Sequence, residues 1–201
     1  MLHTPSRLSA LQALACEAEA CRACPLGETR LNVVWAGGNP NAQLMIVGEA
    51  PGQTEDETGQ PFVGRAGKLL TAMLATAGLT RETDTYIANM LKCRPPNNRK
   101  PTPTEVAACA PFLQQQVALV QPKVLVLLGS TAVTGVLGLK QPLGHVRGQW
   151  FNLPSHPHVH VMPQYHPSYL LRFAQQPEGT HPANPRALGQ TDWHSVANYL
   201  T

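Results

Sequence analysis

The 201-residue chain carries little charge. Asp, Glu, Lys and Arg together make up 13% of it, which argues against a charged disordered tail or a coiled coil. No apolar run approaches the roughly 20 residues that a membrane-spanning helix needs. Residues Met1 to Ala20 mix Gln12, Glu17 and Glu19 into their apolar positions, so they do not read as a secretory leader, and a cytoplasmic protein with no membrane partner is expected. Neither a Gly-x-x-x-x-Gly-Lys nor a Gly-x-Gly-x-x-Gly nucleotide loop is present. No internal repeat or long linker divides the sequence, and one domain over residues 1–201 is expected. What the chain does have is 19 prolines, 16 glycines, five cysteines and a formal net charge of +3. The prolines imply long, stiffened loops. The charge permits an anionic partner without requiring one.

Four short apolar runs read as buried strands: Leu44 to Val47, Thr85 to Asn89, Val124 to Leu128 and Val159 to Met162. Helical patterns separate them. Leu70, Met73, Leu74 and Ala77 share one face, and Gly78 suits a helix stop. Thr102, Pro103 and Glu105 spell a capping box that opens a helix running to about Val120. Shorter helices are expected from about Leu8 to Ala20, after Gly129-Ser130-Thr131 and after Asp192. Alternating strands and helices predict an α/β fold, a three-layer α/β/α sandwich around a four-stranded parallel sheet.

Sheets of this kind bind ligands at the carboxyl ends of their strands. Here the first strand is followed by Gly48-Glu49-Ala50-Pro51-Gly52, with Glu55, Asp56, Phe62 and Gly64 beyond. The second ends in Asn89, the third runs into Gly129-Ser130, and the fourth is followed by Tyr165-His166-Pro167-Ser168. Taken singly, Glu49 could cap a helix, Asn89 could form a turn, Phe62 could be core and His166 could be structural. Their joint arrival at one rim points to a site. His156, His158 and His160 read instead as decoration of a surface hairpin or loop.

Cysteines are a second signal, since a reducing compartment makes metal binding or catalysis a better explanation than disulfides. Cys21-x2-Cys24 leads, and Cys93-x15-Cys109 completes a set of four that suits a [4Fe-4S] cluster, with zinc as the alternative. Cys16 is the odd one and reads as a small apolar residue. Between Lys92 and Lys100 four of nine residues are basic and none is acidic, a proline-stiffened loop suited to phosphate contacts through Arg94, Arg99 and Lys100. A merely solvated loop is the plain alternative.

Together these residues resemble the family 4 uracil-DNA glycosylases, the iron–sulfur members of their superfamily. The resemblance rests on Gly48 to Gly52 with Glu55-Asp56, Gly59-Gln60-Pro61-Phe62-Val63-Gly64, Asn89 ahead of Lys92-Cys93-Arg94-Pro95-Pro96, and His166-Pro167-Ser168-Tyr169-Leu170-Leu171. It runs from about Cys21 to Arg172 and gives no role to residues 175–190. It implies DNA repair: uracil is flipped from DNA, its N-glycosidic bond is hydrolysed, and an abasic site remains. On that analogy Phe62 stacks on uracil, Asn89 reads its pairing edge, and the backbone of Glu49, Ala50 and Pro51 lines the pocket. Glu49 positions or deprotonates water, and His166 donates to uracil O2. Glu55 either shapes the pocket near uracil C5 or caps its loop.

Ser168 and Arg172 would contact DNA beside Leu170 or Leu171, one of which wedges into the gap while the other can be core. The cluster would be structural, tying Cys21 and Cys24 to the basic loop and the Cys109 helix in an expected monomer. Two other functions stay open: a relative that links covalently to the abasic sugar, and a non-catalytic iron–sulfur module that binds nucleic acid. Because residues 92–100 contain no histidine to form that link, hydrolysis is favoured.

Overall fold

The structure is a computed structural model and describes residues 6–173 and 184–201. The chain opens with α1 (Arg7–Ala20) and α2 (Leu26–Thr29), followed by β1 (Gly37–Gly38) and β2 (Leu44–Gly48). Helices α3 (Gln53–Thr58), α4 (Arg65–Thr76) and α5 (Arg81–Asp84) lead to β3 (Thr85–Asn89). Then come α6 (Pro103–Val120), β4 (Val124–Leu128), α7 (Ser130–Leu137), α8 (Leu143–Val146), β5 (Phe151–Leu153) and β6 (His156–Gln164). Helices α9 (Pro167–Leu170) and α10 (Pro185–Leu200) complete the order.

Local chemistry sets the helix ends. Thr102 accepts from the Glu105 N–H while the Glu105 carboxylate accepts from the Thr102 N–H, so the predicted capping box is formed and Pro103 fills the first helical position. Such a cap contributes about 1 kcal/mol. At the end of α4 the Leu79 N–H reaches the Leu74 carbonyl and the Gly78 N–H reaches that of Ala75, with Gly78 at φ +77°. That is the paired closure a glycine makes cheap.

The sheet order is β1-β3-β2-β4-β6-β5. The four predicted strands pair in parallel in the middle, while β1 lies antiparallel on β3 and β5 antiparallel on β6. The sheet is therefore mixed and six-stranded, not four-stranded and all parallel. Two- and three-residue edge strands are too short to show an apolar alternation, which is why the sequence hides them. The hairpin expectation for His156, His158 and His160 holds, as all three lie on β6 opposite β5.

Successive strand residues face opposite layers. Met45, Val47, Leu125 and Leu127 pack with Leu11 of α1, Leu113 and Val117 of α6 and Val133 of α7. Leu44, Ile46, Val124 and Val126 pack with Leu70 and Leu74 of α4 and Trp193 and Val196 of α10. Helices thus cover both faces, and each such buried side chain contributes about 1.5–3 kcal/mol. The last helix begins at Pro185, capped by Asn184, well before the expected start near Asp192. Residues 185–190 are its first turns, and 175–183 lie outside the described residues. Gly189 lies inside this helix. It sits there because a Cβ would lie 3.1 Å from the Met73 methyl and 3.3 Å from Leu170 Cδ1. Among the described residues no helix is long and apolar enough to cross a membrane.

Candidate active site

All four central strands deliver their carboxyl ends to one cavity of about 780 Å³. Its walls include Glu49, Ala50 and Pro51 after β2, Asn89 at the end of β3, Gly129 and Ser130 after β4, and His166 after β6. The main-chain pairing continues past the strands, with Met90 N–H donating to Gly48 O at 2.9 Å and Leu91 N–H to Glu49 O at 3.1 Å. Glu49 therefore leaves the sheet at a fixed point. The predicted convergence of Glu49, Asn89 and His166 is present.

Asn89 is 1% exposed, and its Oδ1 has no hydrogen-bond partner among the described residues. A buried acceptor left unmet costs about 1–3 kcal/mol, so it calls for a donor. Phe62 closes in beside it: a Cβ placed at Gly48 would lie 2.5 Å from both Asn89 Oδ1 and Phe62 Cζ. Phe62 holds φ +53°, a left-handed conformation uncommon for a bulky residue. Arg81 braces it by donating to the carbonyls of Phe62 and Pro61.

Glu55 Oε1 accepts from the N–H groups of Val63 (2.9 Å) and Gly64 (2.8 Å) while its side chain lines the cavity. It holds the loop around Phe62, doing for the α4 N-terminus what Gly64 cannot. Asp56, buried, accepts from the N–H groups of Leu31 and Asn32 and ties that segment to α3.

The His166 ring lies 5.7 Å from that of Phe62, tilted by 34°. The Ser168 N–H donates to His166 Nδ1 at 3.2 Å, with the Ser168 hydroxyl at 2.8 Å. An Nδ1 that accepts leaves the neutral ring its proton on Nε2. Burial pushes the imidazole down to about 4, against the opposing pull of the Glu55 carboxylate. The ring is thus a neutral N–H donor at pH 7.

The four cysteines Cys21, Cys24, Cys93 and Cys109 line a second, small cavity with Arg30 and Lys92. All four are free of disulfides, and Cys16 is exposed on α1. Arg30 Nη1 donates to Cys93 Sγ at 3.1 Å and the Lys92 backbone N–H to Cys109 Sγ at 3.3 Å. Burial pushes both thiols up, countered by the Arg30 guanidinium at Cys93 and the Lys92 ammonium at Cys109. Among the described residues no group of three or more His, Cys, Asp or Glu is arranged to hold a metal ion.

Two sequence expectations change, at Leu170 and Arg99, and one member of the basic run turns inward. Lys92 is no surface cation: it is 2% exposed, donates to Asn89 O (2.7 Å) and Gln116 Oε1 (2.5 Å), and lies 5.3 Å from the Trp35 ring centroid. Burial pulls it down to about 8, with Cys109 and Cys93 opposing. Leu170 is 1% exposed in the core beside α4, so it cannot wedge into DNA, whereas Leu171 is only half-buried. Arg99 reaches the cavity but is engaged by both carboxylate oxygens of Glu105. Arg94, half-buried, donates to Asn98 Oδ1 at 2.7 Å; Lys100, Ser168 and Arg172 are exposed. Sequence reasoning missed Arg81, Arg30 and Gln116, which carry no motif, and Tyr165 and Tyr169, whose i, i+4 spacing was there to be read.

Comparison with known proteins agrees with this geometry. The family model of the uracil DNA glycosylase superfamily matches residues 36–187. The chain is 50% identical over 156 residues to a type-4 uracil-DNA glycosylase of Thermotoga maritima, covering 76% of this chain and 78% of the relative. With one of Archaeoglobus fulgidus it shares 44% over 169 residues, covering 82% and 84%. A type-5 uracil-DNA glycosylase of Thermus thermophilus is 33% identical over 186 residues, with 74% and 83% covered. The cavity at the strand ends and these likenesses lead to one conclusion: the chain belongs to the uracil-DNA glycosylase superfamily, in its type-4 branch.

Proposed function

We propose that the protein removes uracil from DNA by hydrolysing its N-glycosidic bond, leaving an abasic site. The observation that carries this reading is the Asn89 Oδ1, which has no partner among the described residues, buried beside Phe62 and sharing a cavity with the neutral His166. A carboxamide there accepts from uracil N3–H and donates to O4. Cytosine reverses both groups and leaves them unpaired, a mismatch that can supply discrimination of about 10⁴. Phe62 stacks on the base.

As the bond breaks, negative charge grows on the departing uracil and positive charge on the sugar. The Nε2–H of His166 donates to uracil O2 as that charge develops, a contribution of roughly 10²–10³ in rate. Glu49 orients the attacking water and favours the cationic sugar. Arg94, Lys100, Ser168 and Arg172 hold the phosphates, Arg99 joins them from its Glu105 pair, and Leu171 fills the vacated space. The protein works on DNA as a monomer, with residues 1–201 as one domain.

For the cysteines we propose a structural [4Fe-4S] cluster, with zinc as the alternative. Four free thiols at one cavity, with N–H donors aimed at two sulfurs, suit such a group. It would fasten the segment around Cys21 and Cys24 to the Cys93 loop and to α6.

The test is base release from an oligonucleotide with a single uracil, beside cytosine and thymine controls. Wild-type protein should free uracil alone, and Glu49→Gln and His166→Ala should each lose at least about a hundredfold. Unimpaired release by both variants would overturn the assignment.

A further inference from the structure

We propose that Tyr169 is a stacking platform for the nucleobase next to the flipped nucleotide in the same strand. The proposal rests on the uracil-DNA reading above and names a contact that reading leaves open. Tyr165, just before α9, Tyr169 within it and Phe173 in the single 3₁₀ turn after it (Leu171–Phe173) form a continuous row of ring contacts. Their ring centroids are 5.1 Å apart at each step, with interplanar angles of 38° and 62°.

The row begins inside the site. Tyr165 and Tyr169 both line the cavity that holds Asn89 and His166. Tyr169 is 36% exposed, whereas its neighbour Leu170 is fully committed to the core. The core therefore does not explain this ring.

Chain geometry supplies the occupant. A strand with one nucleotide in the cavity must carry the next one over the rim, where Tyr169 stands between the His166 segment and the exposed Arg172. An aromatic face accepts any base, and the nearby guanidinium meets the linking phosphate. Leu171 lies between Tyr169 and Arg172, so the wedge and the platform belong to one short stretch with separate tasks: one fills the gap, the other receives the neighbour.

The experiment uses single-stranded oligonucleotides with the fluorescent base 2-aminopurine on one or the other side of the uracil. Binding of wild-type protein should quench the probe on one side. Tyr169→Phe and Tyr169→Trp should keep the quenching, and Tyr169→Ala should lose it while binding about tenfold more weakly. In base release the loss should fall on KM, not on kcat. A baseless spacer at the stacked position should raise the wild-type KM by a similar factor and add nothing to Tyr169→Ala. Quenching undiminished in Tyr169→Ala, or indifference of the wild type to the spacer, would overturn the proposal. Quenching without uracil release would remove the glycosylase reading but keep the platform; release without quenching would remove the platform alone.

Discussion

The Lys92 ammonium and the main-chain carbonyl of Asn89 are joined by a 2.7 Å hydrogen bond inside the protein. Among the described residues no carboxylate shares it; the other partner is the Gln116 amide, which in turn donates to Tyr86 Oη at 3.1 Å. A chain of polar contacts thus runs from Asn89 to α6. Replacing Lys92 by Met leaves the Asn89 carbonyl without that donor, at about 1–3 kcal/mol. Thermal unfolding of Lys92→Met should show the loss, and uracil release should fall in kcat/KM with it. An unaltered melting curve and full activity would show that Asn89 needs no such support.

Gly48 is where Asn89 and Phe62 come closest. Adding one methyl should force both apart, and a displacement near 1 Å can cost about a hundredfold in rate. Overpacking should lower stability by about 1–3 kcal/mol, leaving a folded protein. Gly48→Ala should therefore remain folded by circular dichroism while its kcat/KM collapses. Near-normal turnover would mean the pair is more pliable than its packing implies.

His166 gives a pH signature. Burial lowers it from 6.5 to about 4. Between those values the unfolded chain binds a proton that the folded chain refuses. Stability is accordingly full above about pH 6.5 and declines as pH falls toward about 4. Urea unfolding at stepped pH should show this slope, and His166→Asn, which does not titrate, should flatten it. The same neutrality predicts that wild-type uracil release has no break near pH 6.5 from this residue.

Cys93 is the buried member of the four cysteines and takes a hydrogen bond from Arg30. Cys93→Ser should give a colourless protein lacking absorption at about 400 nm, with a lower melting temperature. A stable, fully active, colourless variant would remove the structural role proposed for the cluster.

Much of this was visible in the residues themselves. Leu44 to Val47, Thr85 to Asn89 and Val124 to Leu128 are continuous apolar runs because helices bury them on both faces, and their positions matched the strands to within a residue. Glu49, Asn89 and His166 could be placed together because each follows a parallel strand, and parallel strands end on the same side. The inward turn of Lys92 is not legible in the basic run, because it depends on Gln116, 24 positions away. Leu170 and Leu171 could not be told apart for the same reason, since only the packing of α9 against α4 decides which is buried. The edge strands, at two and three residues, are too short to carry a pattern of their own.

The walls around Asn89 are anchored to the ends of a rigid sheet, and Arg81, Glu55 and Ser168 fix the rings and loops between them. Such a receptacle has little freedom left to surrender when it is filled. On the proposed reading the work of opening then falls on the nucleic acid: a poorly paired nucleotide enters readily and a well-paired one seldom. The protein would thus sample lesions partly by how loosely they sit in their own helix, before any hydrogen bond to Asn89 is made.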